Sequence, residues 1–133
     1  MIDPVNHEEA FVKAFIPNHR QERYLGIIAN RKKRAKLLTE LAHFKALDPK
    51  FIVEIPSNQR RGSALVELLK AKGAGSTCYV MSENTKLDGR EMELETALTE
   101  TVGYQMGTLI SCVPGRLAYF EDEDGRWILE RIV

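Results

Sequence analysis

The sequence predicts an α/β domain, with α+β as the alternative: N-terminal helices, then β-α-β-α-β-β-β around a mixed sheet. Three observations carry this reading. Up to residue 48 apolar side chains recur at helical spacing, whereas from residue 51 short β-branched runs alternate with helical stretches. The strand–helix–strand–helix–strand order predicts a parallel βαβ core. A Pro-Gly turn and an Asp-Gly pair then divide the C-terminus into an antiparallel meander. The 133 residues suffice for a single domain spanning 1–133, with 1–48 its helical part and 51–133 its sheet-containing part.

Each element has a local cause. Asn6 and Glu9 have capping-box spacing ahead of Phe11, Val12 and Phe15, the apolar face of a first helix that Pro17 and Asn18 interrupt. A second helix starts at His19 and carries Tyr24, Leu25, Ile27 and Ile28 on one side. Asn30 reads as a break or a new cap before RKKRAK, whose helix buries Leu37, Leu38, Leu41, Ala42 and Phe44 and ends at Asp48-Pro49. Phe51 to Ile55 is a strand closed by Pro56. Ala64, Leu65, Leu68 and Leu69 mark a helix stopped by Gly73. Thr77 to Met81 is the second strand. Asp88 and Glu91 have capping-box spacing for a helix with Leu94, Ala97, Leu98 and Val102, stopped by Gly103. Gly107 to Val113 is the third strand, Val113-Pro114-Gly115-Arg116 a type II turn, Leu117 to Phe120 the fourth strand, Asp124-Gly125 a two-residue hairpin and Trp127 to Ile132 the fifth strand.

Nineteen basic residues balance nineteen acidic ones, so no bulk field draws the chain to a polyanion or a membrane. The zero conceals a split: residues 1–75 hold 14 Lys/Arg against 8 Asp/Glu, and residues 76–133 hold 5 against 11, or +6 and −6. The N-terminus has early acids and no apolar run, unlike a signal peptide, and no stretch has the length of a membrane span. Cys78 and Cys112 sit in apolar runs and read as buried thiols, so the cytoplasm is the expected compartment.

No residue set predicts catalysis, a metal or a cofactor. GxxxxGK[ST], GxGxxG and GxSxG are absent, and His7, His19 and His43 have no partner at ligand spacing. Anion chemistry is better represented. If the strands are parallel, loops 56–63 and 82–90 leave one sheet edge, where ligands bind in open α/β sheets, and the third strand brings Cys112 and the Val113–Arg116 turn toward it. Ser57, Arg60, Arg61 and Ser63, with Arg90 from the second loop, form a candidate site for a phosphate or carboxylate. Arg31, Lys32, Lys33, Arg34 and Lys36 form the densest basic run, a candidate contact for RNA, DNA or another polyanion. Lys32, Lys33 and Lys36 are the members able to share an outward face. The acids of the second half, above all Glu121 to Asp124, are the expected Coulomb partners of the run.

Three functions follow. The leading one is a non-catalytic module that contacts nucleic acid or another polyanion through the basic helix. The second is a small-ligand or enzyme domain acting at loops 56–63 and 82–90. The third is a protein-interaction or homo-oligomeric domain, in which opposite halves of two copies meet or the C-terminal strand pairs across an open edge.

Overall fold

The computed structural model describes residues 4–132, with side chains from His7 onward. Helices α1 (Pro4–Phe15), α2 (Asn18–Ala29) and α3 (Arg31–Glu40) come first, followed by two short 3-10 turns. Strand β1 (Ile52–Glu54), a third 3-10 turn (Ser57–Gln59), helix α4 (Gly62–Ala71), strands β2 (Thr77–Ser82) and β3 (Arg90–Glu93), helix α5 (Leu94–Thr101), and strands β4 (Thr108–Val113), β5 (Leu117–Glu121) and β6 (Arg126–Glu130) follow. The mixed helix and strand content matches expectation, but the sheet does not. Its six strands run in the order β1-β6-β5-β4-β2-β3, and every neighbouring pair is antiparallel. The expected parallel βαβ core is therefore corrected.

The physical reason lies in two places. First, Arg90–Glu93 folds back on β2 as an extra strand, so α5 follows β3 rather than β2. Second, the C-terminal meander inserts between β1 and β2. The helical crossovers still link strands of like direction, β1 to β2 and β3 to β4, but these are not neighbours. Three strands separate the first pair and one separates the second. The C-terminal strand β6 lies between β1 and β5, so it is no open edge, and the expected pairing across it is corrected as well.

Both sheet faces are covered. Phe11, Phe15, Leu41, Phe44, Met81, Leu109, Phe120 and Leu129 pack between the sheet and the N-terminal helices. Leu65, Leu69, Val80, Leu94, Leu98, Ile110, Tyr119 and Ile128 pack between its other face and α4 and α5. Each fully buried Leu or Phe contributes about 1.5–3 kcal/mol. Such contacts outweigh caps worth about 1 kcal/mol, which is why α4 docks through Leu65 and Leu69 although no side chain caps its N-terminus. Helix α2 has no fully buried residue; it leans on the core through half-buried Tyr24, Leu25, Ile27 and Ile28.

Most local stops behave as expected. Asn30 caps α3, its Oδ1 accepting the Lys33 N–H at 3.0 Å. Gly73 (φ 120°) ends α4 in a Schellman motif, with the Ala74 N–H donating to the Leu69 carbonyl and the Gly73 N–H to that of Lys70. The Val113–Arg116 turn closes with Gly115 at φ 73°. Other expectations change. Helix α1 starts at Pro4, ahead of Asn6, whose side chain lies outside the described residues. Asp88 caps no helix, because α5 begins only at Leu94 behind Glu93. The final hairpin closes at Glu121–Arg126 over four residues instead of the two of Asp124-Gly125, because the Asp122 carboxylate accepts the Asp124 and Gly125 N–H groups.

Candidate functional site

Beside the apolar contacts of Leu37 and Leu38, one charged side chain ties helix α3 to the rest of the fold. Arg34 lies three, four and seven residues before Leu37, Leu38 and Leu41, on the apolar face, so its guanidinium points inward while its neighbours in the basic run do not. Its Nε and Nη2 donate to the two Glu8 oxygens at 2.9 and 2.7 Å, and its Nη1 and Nη2 to those of Asp88 at 2.8 and 3.0 Å. The Tyr79 hydroxyl donates to Glu8 at 2.5 Å, and Asp88 also accepts the Ser82 N–H at 3.0 Å. Arg34 thereby joins α1, α3 and the β2–β3 loop. The Glu8 hydrogen bonds raise its already high pKa, and burial together with Glu8 raises that of Tyr79. The expected partners of the basic run are corrected in part: one acid of the second half, Asp88, does hold Arg34, but with Glu8 of the first half rather than with Glu121 to Asp124, of which Glu123 and Asp124 meet His43 and Lys45.

With α3 oriented in this way, Arg31, Lys32, Lys33 and Lys36 are exposed, and none forms an ion pair among the described residues. Three of them occupy the first turn, where the helix dipole is positive and each exposed cation costs about 0.3–1 kcal/mol. Lys33 and Lys36 also line an open groove of about 520 Å³ between α2 and α3. Arg23 and Tyr24 stand across it, and Glu22 and Glu40 share it. Arg20 is exposed earlier on α2.

The second candidate set is divided. β1 and β2 point the same way, so loops 56–63 and 82–90 do leave one end of the sheet. They are four strand steps apart, about 19 Å at ~4.8 Å per step. Ser57, Arg60 and Arg61 line a cavity of about 360 Å³ with Gln105 and Arg126. Ser63 instead lines the groove between α4 and α5, and Arg90 starts the far edge strand, its guanidinium donating to the Lys86 carbonyl. Since β4 runs opposite to β1 and β2, Cys112 and the Val113–Arg116 turn lie toward the other end, which corrects that part of the expected site. Loop 82–90 is wired to itself and to Gly107. Asn84 accepts the Lys86 N–H, the Ser82 hydroxyl accepts that of Asn84, and Glu83 accepts the Gly107 N–H at 2.8 Å. Among the described residues no group of three or more His, Cys, Asp or Glu is placed to hold a metal.

A buried Ser–His contact was not legible in the spacing: His7 Nδ1 lies 2.7 Å from the Ser111 hydroxyl, with the ring stacked on Tyr79. Both residues are buried, and neither lines any of the cavities described here, so the contact joins α1 to β4 and serves packing. Burial lowers the His7 pKa, against a partial rise from Glu91. A lowered folded-state value means that the unfolded chain binds the proton more readily. Stability should therefore fall as pH drops below His7's ordinary value of 6.5. Urea unfolding between pH about 8 and about 5 checks this; His7→Asn should flatten the slope, and an unchanged slope would exclude His7 as its source. Burial pushes the Cys78 thiol up to about 12 and that of Cys112 higher, so neither is a nucleophile near neutral pH.

No helix among the described residues is long and apolar enough to cross a membrane. No protein-family model matches the chain, and neither the curated proteins nor the solved structures yield a significant match.

Proposed function

We propose that this protein is a non-catalytic binding module whose α3 crest contacts the phosphates of a single-stranded nucleic acid. The observation that carries the reading is the cation cluster at the positive end of α3. Arg31, Lys32 and Lys33 stand where the helix dipole disfavours them, exposed and without an acidic partner among the described residues. Side chains kept against a local rule point to a use outside the fold. Arg34 supports the reading indirectly, because the clamp on Glu8 and Asp88 fixes which way the others face. Lys32 and Lys36 lie one turn apart on the crest and Lys33 flanks them. Glu22 and Glu40 stand in the adjoining groove, so the strand follows the crest rather than the groove floor. Tyr24 and Arg23 offer a flanking aromatic and cationic edge, with the guanidinium 5.9 Å from the ring centroid.

Fluorescence anisotropy with a labelled single-stranded RNA is the test. Lys32→Glu, Lys33→Glu and Lys36→Glu together should weaken binding by at least about tenfold. The same variant should unfold at an equal or slightly higher temperature, since two of the three acids then stand in the first turn of a helix. Undiminished binding by this variant would end the proposal.

A further inference from the structure

We infer that the cavity between the 56–61 loop, the α5–β4 loop and the β5–β6 hairpin binds a small zwitterion, its oxyanion at the arginines and its cationic end at Asp124. The site is separate from the α3 crest. Arg60, Arg61 and Arg126 line a cavity of about 360 Å³, within the size range of small-molecule sites. Two of the three guanidiniums are anchored. Arg60 Nε donates to the Ile55 carbonyl at 3.1 Å and Arg126 Nη1 to the Arg60 carbonyl at 3.1 Å, while Arg126 Nε faces Glu121 Oε1 at 3.9 Å, which leaves the Arg60 Nη groups and Arg126 Nη2 for a ligand. The Arg61 side chain has no hydrogen-bond or ion-pair partner among the described residues.

The carboxylates in the same wall are not equivalent. Glu121 is buried, and its oxygens accept the Gly103 and Gln105 N–H groups and the Tyr119 hydroxyl. Asp122 is spent on the turn that it closes. Asp124 alone stays exposed, its nearest cation being Lys45 at 3.8 Å. The cavity thus offers three cations with donors to spare and one carboxylate that accepts no backbone hydrogen bond. A simple anion satisfies the first and is repelled by the second, whereas a ligand with both charges satisfies both. Gln105 adds a second sign of construction. It is the one non-glycine residue with positive φ among those described (59°), it lines this cavity, and the Glu121 carboxylate holds its backbone in place. Unfavourable backbone geometry of this kind persists where the surroundings enforce it, commonly at ligand sites.

Isothermal titration of the full chain with phosphoethanolamine and aspartate, against inorganic phosphate and succinate, tests the inference. The zwitterions should bind saturably and about tenfold tighter than the matched simple anions. Arg61→Ala removes no side-chain hydrogen bond or ion pair of the described residues and should weaken zwitterion binding by about tenfold or more, with the melting temperature unchanged. Asp124→Asn should abolish the preference for the zwitterion while simple anions still bind. No heat with any of the four probes, or equal affinity in the Arg61 variant, would overturn the site; binding with no zwitterion preference would overturn its ligand class. Lys32→Glu, Lys33→Glu and Lys36→Glu together should leave these titrations unchanged, so failure of one site is readable apart from failure of the other.

Discussion

Arg34→Ala should destabilise the fold by about 3 kcal/mol, the lower end of the range for removing one partner of a buried charge pair. The lower end applies because the Arg34 side chain keeps 20% of its surface in water. Its loss leaves two carboxylates, Glu8 and Asp88, facing each other without a cation, their side chains only 9% and 15% exposed. Arg34→Lys should recover only part of the loss, since an ammonium cannot present two forks to two carboxylates. Adding Glu8→Gln and Asp88→Asn to Arg34→Met should recover much of it, because no uncompensated charge then remains. Urea midpoints of these variants check the sequence of effects. An Arg34→Ala loss below about 1 kcal/mol, the value of an exposed pair, would mean that the clamp does not orient α3.

Gly107→Ala should cost as much by a different route. The 3-10 turn Leu41–His43 lies directly on Gly107, so a β-carbon there would come within 2.3 Å of the Ala42 amide nitrogen and 2.4 Å of the Leu41 carbonyl carbon. These are backbone atoms and cannot swing aside as a side-chain tip would. Overpacking in rigid surroundings costs about 1–3 kcal/mol, and the upper end is expected here. At Gly125, by contrast, the intruding atoms belong to the Trp127 ring, at 2.9 and 3.0 Å, which is partly exposed and has room to shift. Gly125→Ala should therefore lose clearly less. Thermal unfolding of both variants decides this, and equal losses would show that the close approach at Gly107 relaxes freely.

How much of this was readable follows from the range of each cause. Local causes were legible: Asn30 as a cap, Gly73 and Gly103 as stops, the Val113–Arg116 turn, and the five longer apolar segments that became strands. Strand order was not. Continuous apolar runs such as residues 77–82 and 108–113 mean that both faces of a strand are covered, which suits a parallel sheet but equally an antiparallel one between two helical layers. β3 escaped because three of its four residues are charged, as befits an edge strand. Asp88 matched a capping box by spacing alone, yet the next residues continue as strand. Arg34 reads as one more cation in a run, and its acceptors lie 26 and 54 residues away. The helical offset to Leu37, Leu38 and Leu41 was the available signal that it turns inward. At the loops, spacing brought Ser57, Arg60 and Arg61 together but could not anticipate Gln105 and Arg126, which arrive from distant parts of the chain.

The proposed division of labour on α3 is that Lys32, Lys33 and Lys36 on its exposed crest meet phosphates while Arg34 serves the fold. The salt dependence of single-stranded RNA binding tests this most directly, because each neutralised phosphate adds a fixed increment to the slope of log K against log salt. The intact chain should show a steep negative slope, and Lys32→Glu, Lys33→Glu and Lys36→Glu together should reduce its magnitude by roughly two, at about 0.7 for each phosphate that is no longer neutralised on a single strand. An identical slope in the two proteins would contradict the assignment of the crest to phosphate binding.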